Sequence, residues 1–413
     1  MKRSDTFARG FAVGTCMFLL VLVGGAGAQT YSVLTSFDYT NGSDVYETPT
    51  VDSSGNVFGT TSEGGNSNCG VAYELVNNGG GVYTNTTLYN FTCLDDGGRP
   101  ESGLVLDSSG NLYGTTSEYG ANGAGVVFEL VNDGGGTYGY SVIHAFTGID
   151  GNFPEGDLVW HNGSLYGTTD EGGGGGCYYG CGTVYRLTKT GSSWTHTTLH
   201  VFEELHDGNY PSGGVILDSN GNIYGTTEEG GTFYAGTVFR LSPAAGFRGP
   251  GVKYDETILH SFDAAADGCY VESGLVMDSA GNLYGTADEC GVQYDGTVYQ
   301  LKRSGGKYEF NVLLQFDYTN GEYPYEETGH LAIDSFGNIY GTAERGGANN
   351  NGVVFQLAAG TFAYTDLHDF QATANDGSEP YGGVSLDSHG NLYGTTYYGG
   401  TFGSGTVWQI ANP

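Results

Sequence analysis

One short motif recurs seven times along the chain of 413 residues, and it constrains the fold more than any other feature. It reads DSSGNLYGTT at 107–116 and DSHGNLYGTT at 387–396. Its aromatic residue falls at seven positions: Phe58, Tyr113, Tyr166, Tyr224, Tyr284, Tyr340 and Tyr393. A spacing of 53 to 60 residues is typical of one supersecondary unit per repeat, so the motif predicts an array of seven similar units.

Each repeat contains four short apolar runs, which we label a, b, c and d in chain order. In the second repeat they are GLVLD at 103–107, NLYGTT at 111–116, GVVFEL at 125–130 and SVIHAF at 141–146. These runs are rich in Val, Leu, Tyr, Phe and Thr and are bounded by Gly, Asn and Asp, which predicts strands. Because no stretch after residue 30 has sustained 3.6-residue apolar spacing, an all-β chain is expected.

The Asp-Ser-x-Gly-Asn segment between runs a and b predicts a tight hairpin turn, in which Gly allows positive φ and Asp bonds the turn backbone. A phosphate-binding loop would need a helix N-terminus after the glycine, and none is predicted. The glycine after the motif aromatic, such as Gly114, is expected to permit close approach between neighbouring sheets. In the third repeat WHNGS at 160–164 replaces the motif, so a different turn is expected there.

Four antiparallel strands repeated radially predict a β-propeller. The chain opens with a lone d-type run, YSVLTSF at 31–37, and its last repeat ends with a c-type run, GTVWQI at 405–410. The fourth strand of the last blade is therefore expected to come from the N-terminus, which closes a seven-bladed ring without an open edge. A single propeller domain over 29–413 is predicted.

The recurring pieces G-[LV]-x-[LM]-D, S-x-G-N-[LI]-Y-G-T-[TA], G-[TV]-V-[FYW]-x-L and L-H-x-F resemble the Gloeobacter/Verrucomicrobia-type tandem repeat, often called GloVer. The resemblance covers nearly the whole chain after residue 28. It implies a secreted or surface-anchored bacterial β-propeller. It implies no reaction, because no catalytic motif comes with the repeat.

Residues 1–28 are predicted to be a signal peptide. Lys2, Arg3 and Arg9 precede an apolar run, and AGA at 26–28 is a small-residue cleavage site. A retained membrane anchor is less favoured because the apolar run is short and no stop-transfer pattern follows it. We therefore expect a secreted or cell-surface protein with no membrane span after removal of the signal peptide.

The charge balance excludes two classes of partner. The chain has 13 Lys and Arg against 46 Asp and Glu, a formal net charge of −33 at pH 7. Such a charge keeps a secreted protein soluble and opposes binding to nucleic acid or to an anionic membrane. A monomer is expected.

Six cysteines follow the predicted signal peptide, and an even number in an exported chain favours disulfides. Because strand direction alternates, the b–c and d–a loops share one face of the propeller, and all six cysteines lie in these loops. We predict the pairs Cys177–Cys181, Cys269–Cys290 and Cys69–Cys93. A metal site at the first pair is less favoured, because no second pair or histidine lies in the same loop.

Acidic residues on this face form the first candidate site. Glu101, Glu155 and Glu272 occupy equivalent positions at the mouth of the central strands in three repeats. A ring of oxygen ligands suits Ca²⁺, so these three are the candidate metal ligands, although no Asp-x-Asp-x-Asp-Gly loop is present. The alternative is that the acids are solvated or cap turns by bonding their own backbone.

Aromatic residues of the b–c loops form the second candidate site. Aromatic faces beside carboxylates can hold sugars or protein segments. The predicted ligand-binding residues, in addition to the three glutamates, are Tyr178, Tyr179, Tyr234, Tyr294 and Tyr398. The alternative is that the loop aromatics cover the core between blades, which is favoured for those of the d–a loops.

Histidines recur at one position of run d, namely His144, His200, His260 and His368. Side chains on the outermost strand cannot converge on an axis, so these four are expected to be exposed or structural rather than ligands. His330, just before run a of the sixth repeat, is the one histidine expected near the channel, where it could form a site with Asp157. A structural role for His330 is the favoured alternative.

No G-x-S-x-G, H-E-x-x-H or Cys–His nucleophile pattern is present. The leading hypothesis is a secreted propeller that binds an extracellular polysaccharide or surface protein through the face that carries the b–c and d–a loops, without catalysis. One alternative is a metal-dependent lyase or lactonase that uses Glu101, Glu155 and Glu272 as cation ligands and His330 as base. Another is a structural protein of the envelope or matrix. No cofactor is expected, with Ca²⁺ at the three glutamates as the alternative.

Overall fold

The computed structural model describes residues 29–203, 207–244, 253–324 and 329–412. The predicted signal peptide at 1–28 lies outside the described residues. The described residues contain no helix and form seven four-stranded antiparallel sheets, whose first strands surround a common central cavity. The predicted all-β, seven-bladed propeller is therefore confirmed.

The strands of each blade follow the four runs of the repeat. Strand a, next to the axis, comprises Thr50–Val51, Val105–Leu106, Val159–His161, Ile216–Leu217, Val276–Met277, Ala332–Ile333 and Ser385–Leu386. Strand b comprises Val57–Thr61, Leu112–Thr116, Ser164–Thr169, Ile223–Thr227, Leu283–Ala287, Ile339–Ala343 and Leu392–Thr396. Strand c comprises Val71–Asn77, Val126–Asn132, Thr183–Thr190, Thr237–Pro243, Thr297–Ser304, Val353–Leu357 and Thr406–Ala411. Strand d comprises Tyr83–Asn90, Tyr138–Ala145, Ser193–Val201, Tyr254–Ser261, Lys307–Gln315, Tyr364–Asp369 and Thr30–Ser36. A two-stranded pair, Gly377–Ser378 with Tyr398–Gly399, lies outside the blades.

The two ends of the chain meet in the seventh blade. Thr30–Ser36 pairs antiparallel with Thr406–Ala411. Beyond this pairing, the Phe37 amide donates a hydrogen bond of 3.1 Å to the Gly405 carbonyl. The same bond joins the phenylalanine after strand d to the glycine before strand c in the other six blades: Phe91 and Gly70, Phe146 and Gly125, Phe202 and Gly182, Phe262 and Gly236, Phe316 and Gly296, and Phe370 and Gly352. One contact, repeated in every blade, thus also links the N-terminal strand to the last blade.

The repeat motif forms the turn between strands a and b through its aspartate. In the second blade Asp107 Oδ1 accepts the amides of Ser109 at 2.8 Å and Asn111 at 3.0 Å. The Tyr113 hydroxyl donates to Asp107 Oδ2 at 3.1 Å. The third blade instead has a two-residue turn at Asn162 and Gly163, which have φ values of 49° and 77°. Positive φ at both positions is the geometry of a type I′ hairpin, so the expected difference of this turn is confirmed.

The glycine after the motif aromatic has a different role from the one predicted. A Cβ on Gly114 would lie 2.7 Å from Phe128 Cζ and 2.8 Å from Leu104 Cδ2, and a Cβ on Gly394 would lie 2.2 Å from Trp408 Cζ2. The close contacts are therefore side chains, and the largest is the aromatic ring of strand c in the same blade. The expectation of close approach between neighbouring sheets was wrong, because the glycine makes room for a ring.

The core lies between adjacent blades. Each hydrophobic cluster joins two neighbouring blades, as where Phe58 and Phe91 of the first blade pack with Leu104 and Phe128 of the second. The seven repeated phenylalanines after strand d are completely buried: Phe37, Phe91, Phe146, Phe202, Phe262, Phe316 and Phe370. Burial of a Phe side chain stabilises a fold by about 1.5–3 kcal/mol. These seven rings therefore stabilise the packing between the blades that carry the loops. None of the described residues forms a helix with the length and hydropathy of a membrane span.

Candidate functional site

The b–c and d–a loops meet on one face of the propeller, which we call the loop face. In every blade a residue of the incoming d–a loop forms a β-bridge with a residue of the b–c loop. The pairs are Ser43 with Glu63, Gly98 with Glu118, Asn152 with Glu171, Asn209 with Glu229, Cys269 with Glu289, Glu322 with Arg345 and Ser378 with Tyr398. The predicted arrangement of loops on faces is therefore correct.

The three predicted disulfides are present on this face. Cys69–Cys93, Cys177–Cys181 and Cys269–Cys290 have Cα–Cα distances of 5.6, 5.1 and 5.4 Å. Two of them tie a b–c loop to a d–a loop, and the third closes a short loop in the third blade. Disulfides persist in oxidising compartments, so three of them are consistent with an extracellular protein.

The predicted aromatic residues of the b–c loops are exposed. Tyr178, Tyr179, Tyr234, Tyr294 and Tyr398 have relative accessibilities of 89, 66, 63, 75 and 46%. They therefore do not cover the core between blades. The d–a aromatics are mixed: Tyr39, Tyr270 and Tyr318 are exposed, whereas Tyr381 is half-buried, with ring centroids 5.6 Å from Tyr46 and 5.2 Å from Tyr397.

The acidic residues of the b–c loops bond neighbouring loop residues. Asn152 donates to Glu171 Oε2 at 2.9 Å, and Asn209 donates to Glu229 Oε2 at 3.1 Å. Arg99 lies 3.5 Å from the nearest carboxylate oxygen of both Glu63 and Glu118. These carboxylates therefore stabilise the loop face by bonding to other residues of the same face.

Glu101, Glu155 and Glu272 are half-buried and lie four residues before strand a in blades 2, 3 and 5. Two groups of three metal-capable side chains with ligand atoms within 4.8 Å of one another occur in the described part of the chain, and neither contains these glutamates. The groups are His144, Asp150 and His196, and His200, Asp207 and Glu256. Because both include imidazole, neither is the all-oxygen set that Ca²⁺ prefers.

The recurring histidines of strand d have structural roles, which was one of the two outcomes expected from the sequence. Each accepts or donates a hydrogen bond at Nε2 with an aspartate of the following d–a loop, at 3.0 to 3.1 Å. The pairs are His144 with Asp150, His200 with Asp207, His260 with Asp267 and His368 with Asp376. Rings from the next blade stack on three of these imidazoles: His196 on His144, Phe310 on His260 and Tyr31 on His368. The stacked rings therefore hold neighbouring blades together, and the histidine–aspartate hydrogen bonds fix the imidazoles on which they stack.

Acid is expected to destabilise the junction between blades 2 and 3 through His196. Burial, and next the neighbouring His144, lower the pKa of His196 from 6.5 to about 4. Between these values the unfolded chain binds a proton that the folded chain excludes, so stability is complete above pH 6.5 and falls by about 2 kcal/mol as the pH drops toward 4, after allowance for partial exposure. His196→Phe, which copies the ring that Phe310 places over His260, is expected to remove this loss in chemical unfolding at pH 7 and pH 4.

The reverse exchange at the next equivalent junction is the matched control. Phe310→His places a second imidazole over His260 and is expected to add acid sensitivity of similar size. A His196→Phe variant that loses as much stability as the wild type between pH 7 and pH 4 would show that the stacked imidazoles do not cause it.

A cavity of about 510 Å³ occupies the axis of the propeller and is lined by strand a of all seven blades. The residue two positions before each strand a forms a ring at one level of the propeller axis. Four blades have glycine at this position: Gly103, Gly214 and Gly274, which line the cavity, and Gly383. The other three have Thr48, Asp157 and His330, which all depart from the repeat. The expectation that His330 and Asp157 lie near the channel is therefore confirmed.

The polar groups of this ring are held by neighbouring backbone. The Gly103 amide donates to Asp157 Oδ1 at 2.6 Å, and the Gly383 amide donates to Thr48 Oγ1 at 3.0 Å. His330 Nδ1 lies 2.9 Å from the Leu331 carbonyl oxygen. Burial raises the pKa of Asp157 to about 6, and the His330 imidazole opposes this rise. Asp157 and His330, from blades 3 and 6, therefore interact electrostatically across the channel.

The repeat also identifies the family. The model of the Gloeobacter/Verrucomicrobia repeat matches the chain three times, over residues 18–176, 84–277 and 250–413. The chain belongs to the Gloeobacter/Verrucomicrobia repeat family. The resemblance noted from the sequence is thus confirmed. No curated protein matches this member of the family in sequence.

Solved structures share the fold of this Gloeobacter/Verrucomicrobia repeat protein at low identity. A candidate 6-phosphogluconolactonase from Bacteroides uniformis aligns over 82% of the chain and 88% of its own, with 13% identity and a TM-score of 0.53. An ancestral GH74 enzyme aligns over 93% of the chain and 48% of its own, with 10% identity and a TM-score of 0.55. A protein from Lactobacillus plantarum aligns over 82% and 91%, with 15% identity and a TM-score of 0.51. At these identities the likeness shows the propeller fold alone.

Reasoning from the sequence missed one buried acid in this family member. Glu47 precedes Thr48 and is 1% exposed, and its Oε1 accepts a hydrogen bond of 2.9 Å from the Tyr73 hydroxyl. Burial raises its pKa to about 8. The equivalent residue in the other six blades is serine or glycine: Ser102, Gly156, Gly213, Ser273, Gly329 and Gly382. Alignment of the repeats by position would have revealed Glu47 as the one charged residue in this ring.

Proposed function

We propose that the protein binds neutral polysaccharide outside the cell through the exposed aromatic residues of its loop face. The observation that carries the proposal is where exposed rings lie. Among the described residues twelve Tyr and Phe side chains are exposed, and eleven of them lie in b–c or d–a loops. The exception is Phe336, in the a–b turn of the sixth blade on the opposite face. Exposed apolar surface concentrated on one face is typical of a binding surface.

Six of these tyrosines have positive φ, and two of the six stand where every other blade has asparagine or glycine. Tyr234 and Tyr294 have φ values of 60° and 68°, in the left-handed region. The residue at the equivalent position of the other five blades is asparagine or glycine, which adopt this conformation readily: Asn68, Gly123, Gly180, Asn350 and Gly403. A bulky residue there costs about 1 kcal/mol or more and gains no burial in the fold. The rings are better explained by a ligand than by stability.

The charge of the chain supports a neutral ligand. A net charge of −33 repels sulfated or uronate-rich polymers, whereas neutral sugars are unaffected. The apolar C–H face of a pyranose ring packs on an aromatic ring, and its hydroxyl groups donate hydrogen bonds to carboxylates. The loop face has both kinds of group, since the b–c loops of blades 2 to 5 each contain a glutamate and an aromatic residue. A neutral glycan therefore matches this surface better than an anionic one.

Loss of the exposed tyrosines of blades 3 and 4 is expected to weaken the binding of neutral polysaccharide strongly. Tyr178→Ala, Tyr179→Ala and Tyr234→Ala combined should weaken binding about 100-fold, because each stacked ring contributes about 1 kcal/mol. Affinity electrophoresis and sedimentation with a panel of neutral and anionic polysaccharides measure the effect. Phe336→Ala, which removes a ring that is 84% exposed on the other face, is the matched control and should bind as the wild type does.

Two results would contradict the proposal. One is a triple variant that binds every tested polysaccharide as tightly as the wild type does. The other is a wild-type protein that binds alginate or another polyanion in preference to all neutral polymers.

A further inference from the structure

One end of the central cavity carries polar side chains that take no part in the proposed polysaccharide site on the loop face. Four of seven blades have glycine at the repeat position that Asp157 and His330 occupy, which shows that the fold is satisfied by glycine there. Asp157 and His330 replace it in blades 3 and 6. Burying a carboxylate costs stability, and the His330 imidazole offsets this cost only in part. Asp157 therefore opposes the fold locally, and departures of this kind concentrate at binding sites.

The two groups can both accept hydrogen bonds. A carbonyl oxygen only accepts, so the contact of 2.9 Å between His330 Nδ1 and the Leu331 carbonyl places the proton of the neutral ring on Nδ1. The lone pair of the neutral ring is then on Nε2. Asp157 Oδ1 accepts the Gly103 amide, and Oδ2 receives no hydrogen bond from any residue that the structure describes. The channel thus presents a carboxylate oxygen and an imidazole nitrogen as acceptors.

The wall of the cavity next to these acceptors is mostly aliphatic. Two residues further along the chain, the channel is lined by Val105, Val159, Ile216, Val276 and Ala332, with the hydroxyl-bearing Thr50 and Ser385 in the two remaining blades. A volume of about 510 Å³ lies within the range of small-molecule sites and exceeds what a single metal ion needs. The excess of negative charge on the whole chain raises the local concentration of cations.

We propose that the central cavity binds a small organic cation, an ammonium group on a short aliphatic chain. Asp157 and His330 accept hydrogen bonds from the ammonium group, and the valine and isoleucine side chains pack against the aliphatic chain. An aliphatic carboxylate would place two negative charges together at Asp157, and an aliphatic alcohol would lack the ion pair. This site is distinct from the aromatic residues of the loop face.

Titration with hexylammonium by isothermal titration calorimetry tests the proposal at pH 7.5. Hexylammonium is expected to bind at least tenfold more tightly than hexanol, and hexanoate is expected not to bind. Asp157→Asn, which keeps an acceptor for the Gly103 amide, should weaken binding of hexylammonium at least tenfold, as loss of a hydrogen bond to a charged group predicts. Asp157→Gly, which restores the residue found in four other blades, should do the same in a variant that the fold tolerates.

The pH dependence provides a second readout. Asp157 faces His330 across the channel and Glu47 from the first blade. Binding should weaken as the pH falls through about 6, because the Asp157 carboxyl gains a proton there. Equal binding by wild type and both Asp157 variants, or a wild type that prefers hexanoate or hexanol, would overturn the proposal. The triple tyrosine variant should bind hexylammonium normally, so the polysaccharide proposal can fail without affecting this one.

Discussion

Replacing Glu47 by glutamine is expected to leave the free energy of unfolding nearly unchanged at pH 4 and to raise it by about 4 kcal/mol at pH 9. Burial raises the pKa of Glu47 from 4.5 to about 8. Below pH 4.5 the carboxyl is protonated in both the folded and the unfolded chain. Between pH 4.5 and 8 the folded chain keeps a proton that the unfolded chain releases, so wild-type stability falls as the pH rises. Glutamine removes the ionisation and keeps an acceptor for the Tyr73 hydroxyl.

Urea unfolding of wild type and variant at pH 4, 6, 8 and 9 measures this difference. Glu47→Ser is the control, because it inserts the residue that the second and fifth blades have at this position. It also removes the carboxyl and should abolish the same pH dependence. It should nevertheless be less stable than Glu47→Gln at every pH, since it leaves a cavity and removes the partner of a buried hydroxyl group. A Glu47→Gln variant that retains the wild-type slope between pH 5 and 8 would assign the pH dependence to other groups.

The fold could be predicted from the sequence because each blade repeats the same local information. The motif with Asp107, Asn111 and Tyr113 determines a turn through contacts within seven residues, and seven copies leave a ring as the solution without open edges. The disulfides followed from the same reasoning, because alternating strand direction places b–c and d–a loops on one face. Cys69 and Cys93 are 24 residues apart yet belong to neighbouring loops.

The candidate site could be predicted only in part, because the channel combines residues from blades that are distant in sequence. Glu47, Asp157 and His330 meet near the axis from blades 1, 3 and 6, and no local pattern relates them. What does relate them is their departure from the repeat, Glu47 at one position and Asp157 and His330 at the next. The reasoning that selected Glu101 and Glu155 relied on similarity between blades, but equivalent residues of a ring are spread around the channel. Differences between blades point to the axis better than similarities do.

Replacing Phe37 by alanine is expected to lower the free energy of unfolding by about 3–5 kcal/mol, the usual cost of deleting a buried aromatic ring. Phe37 is completely buried, and its ring centroid lies 5.2 Å from that of Tyr73 in the first blade. It follows the N-terminal strand, so its packing depends on the pairing of Thr30–Ser36 with Thr406–Ala411. Loss of this ring therefore tests whether the first strand holds the last blade.

Phe202→Ala is the matched control, because Phe202 occupies the equivalent position in the third blade and lies 5.1 Å from Phe239. Both phenylalanines are completely buried, and both donate a backbone hydrogen bond of 3.1 Å to the glycine before strand c. If the N-terminal strand closes the ring, the two variants should lose similar stability in urea unfolding. If that strand is not docked in solution, Phe37→Ala should unfold as the wild type does while Phe202→Ala still loses several kcal/mol. Strand c of the seventh blade would then have an unpaired edge, so wild-type molecules should also associate with one another through that edge.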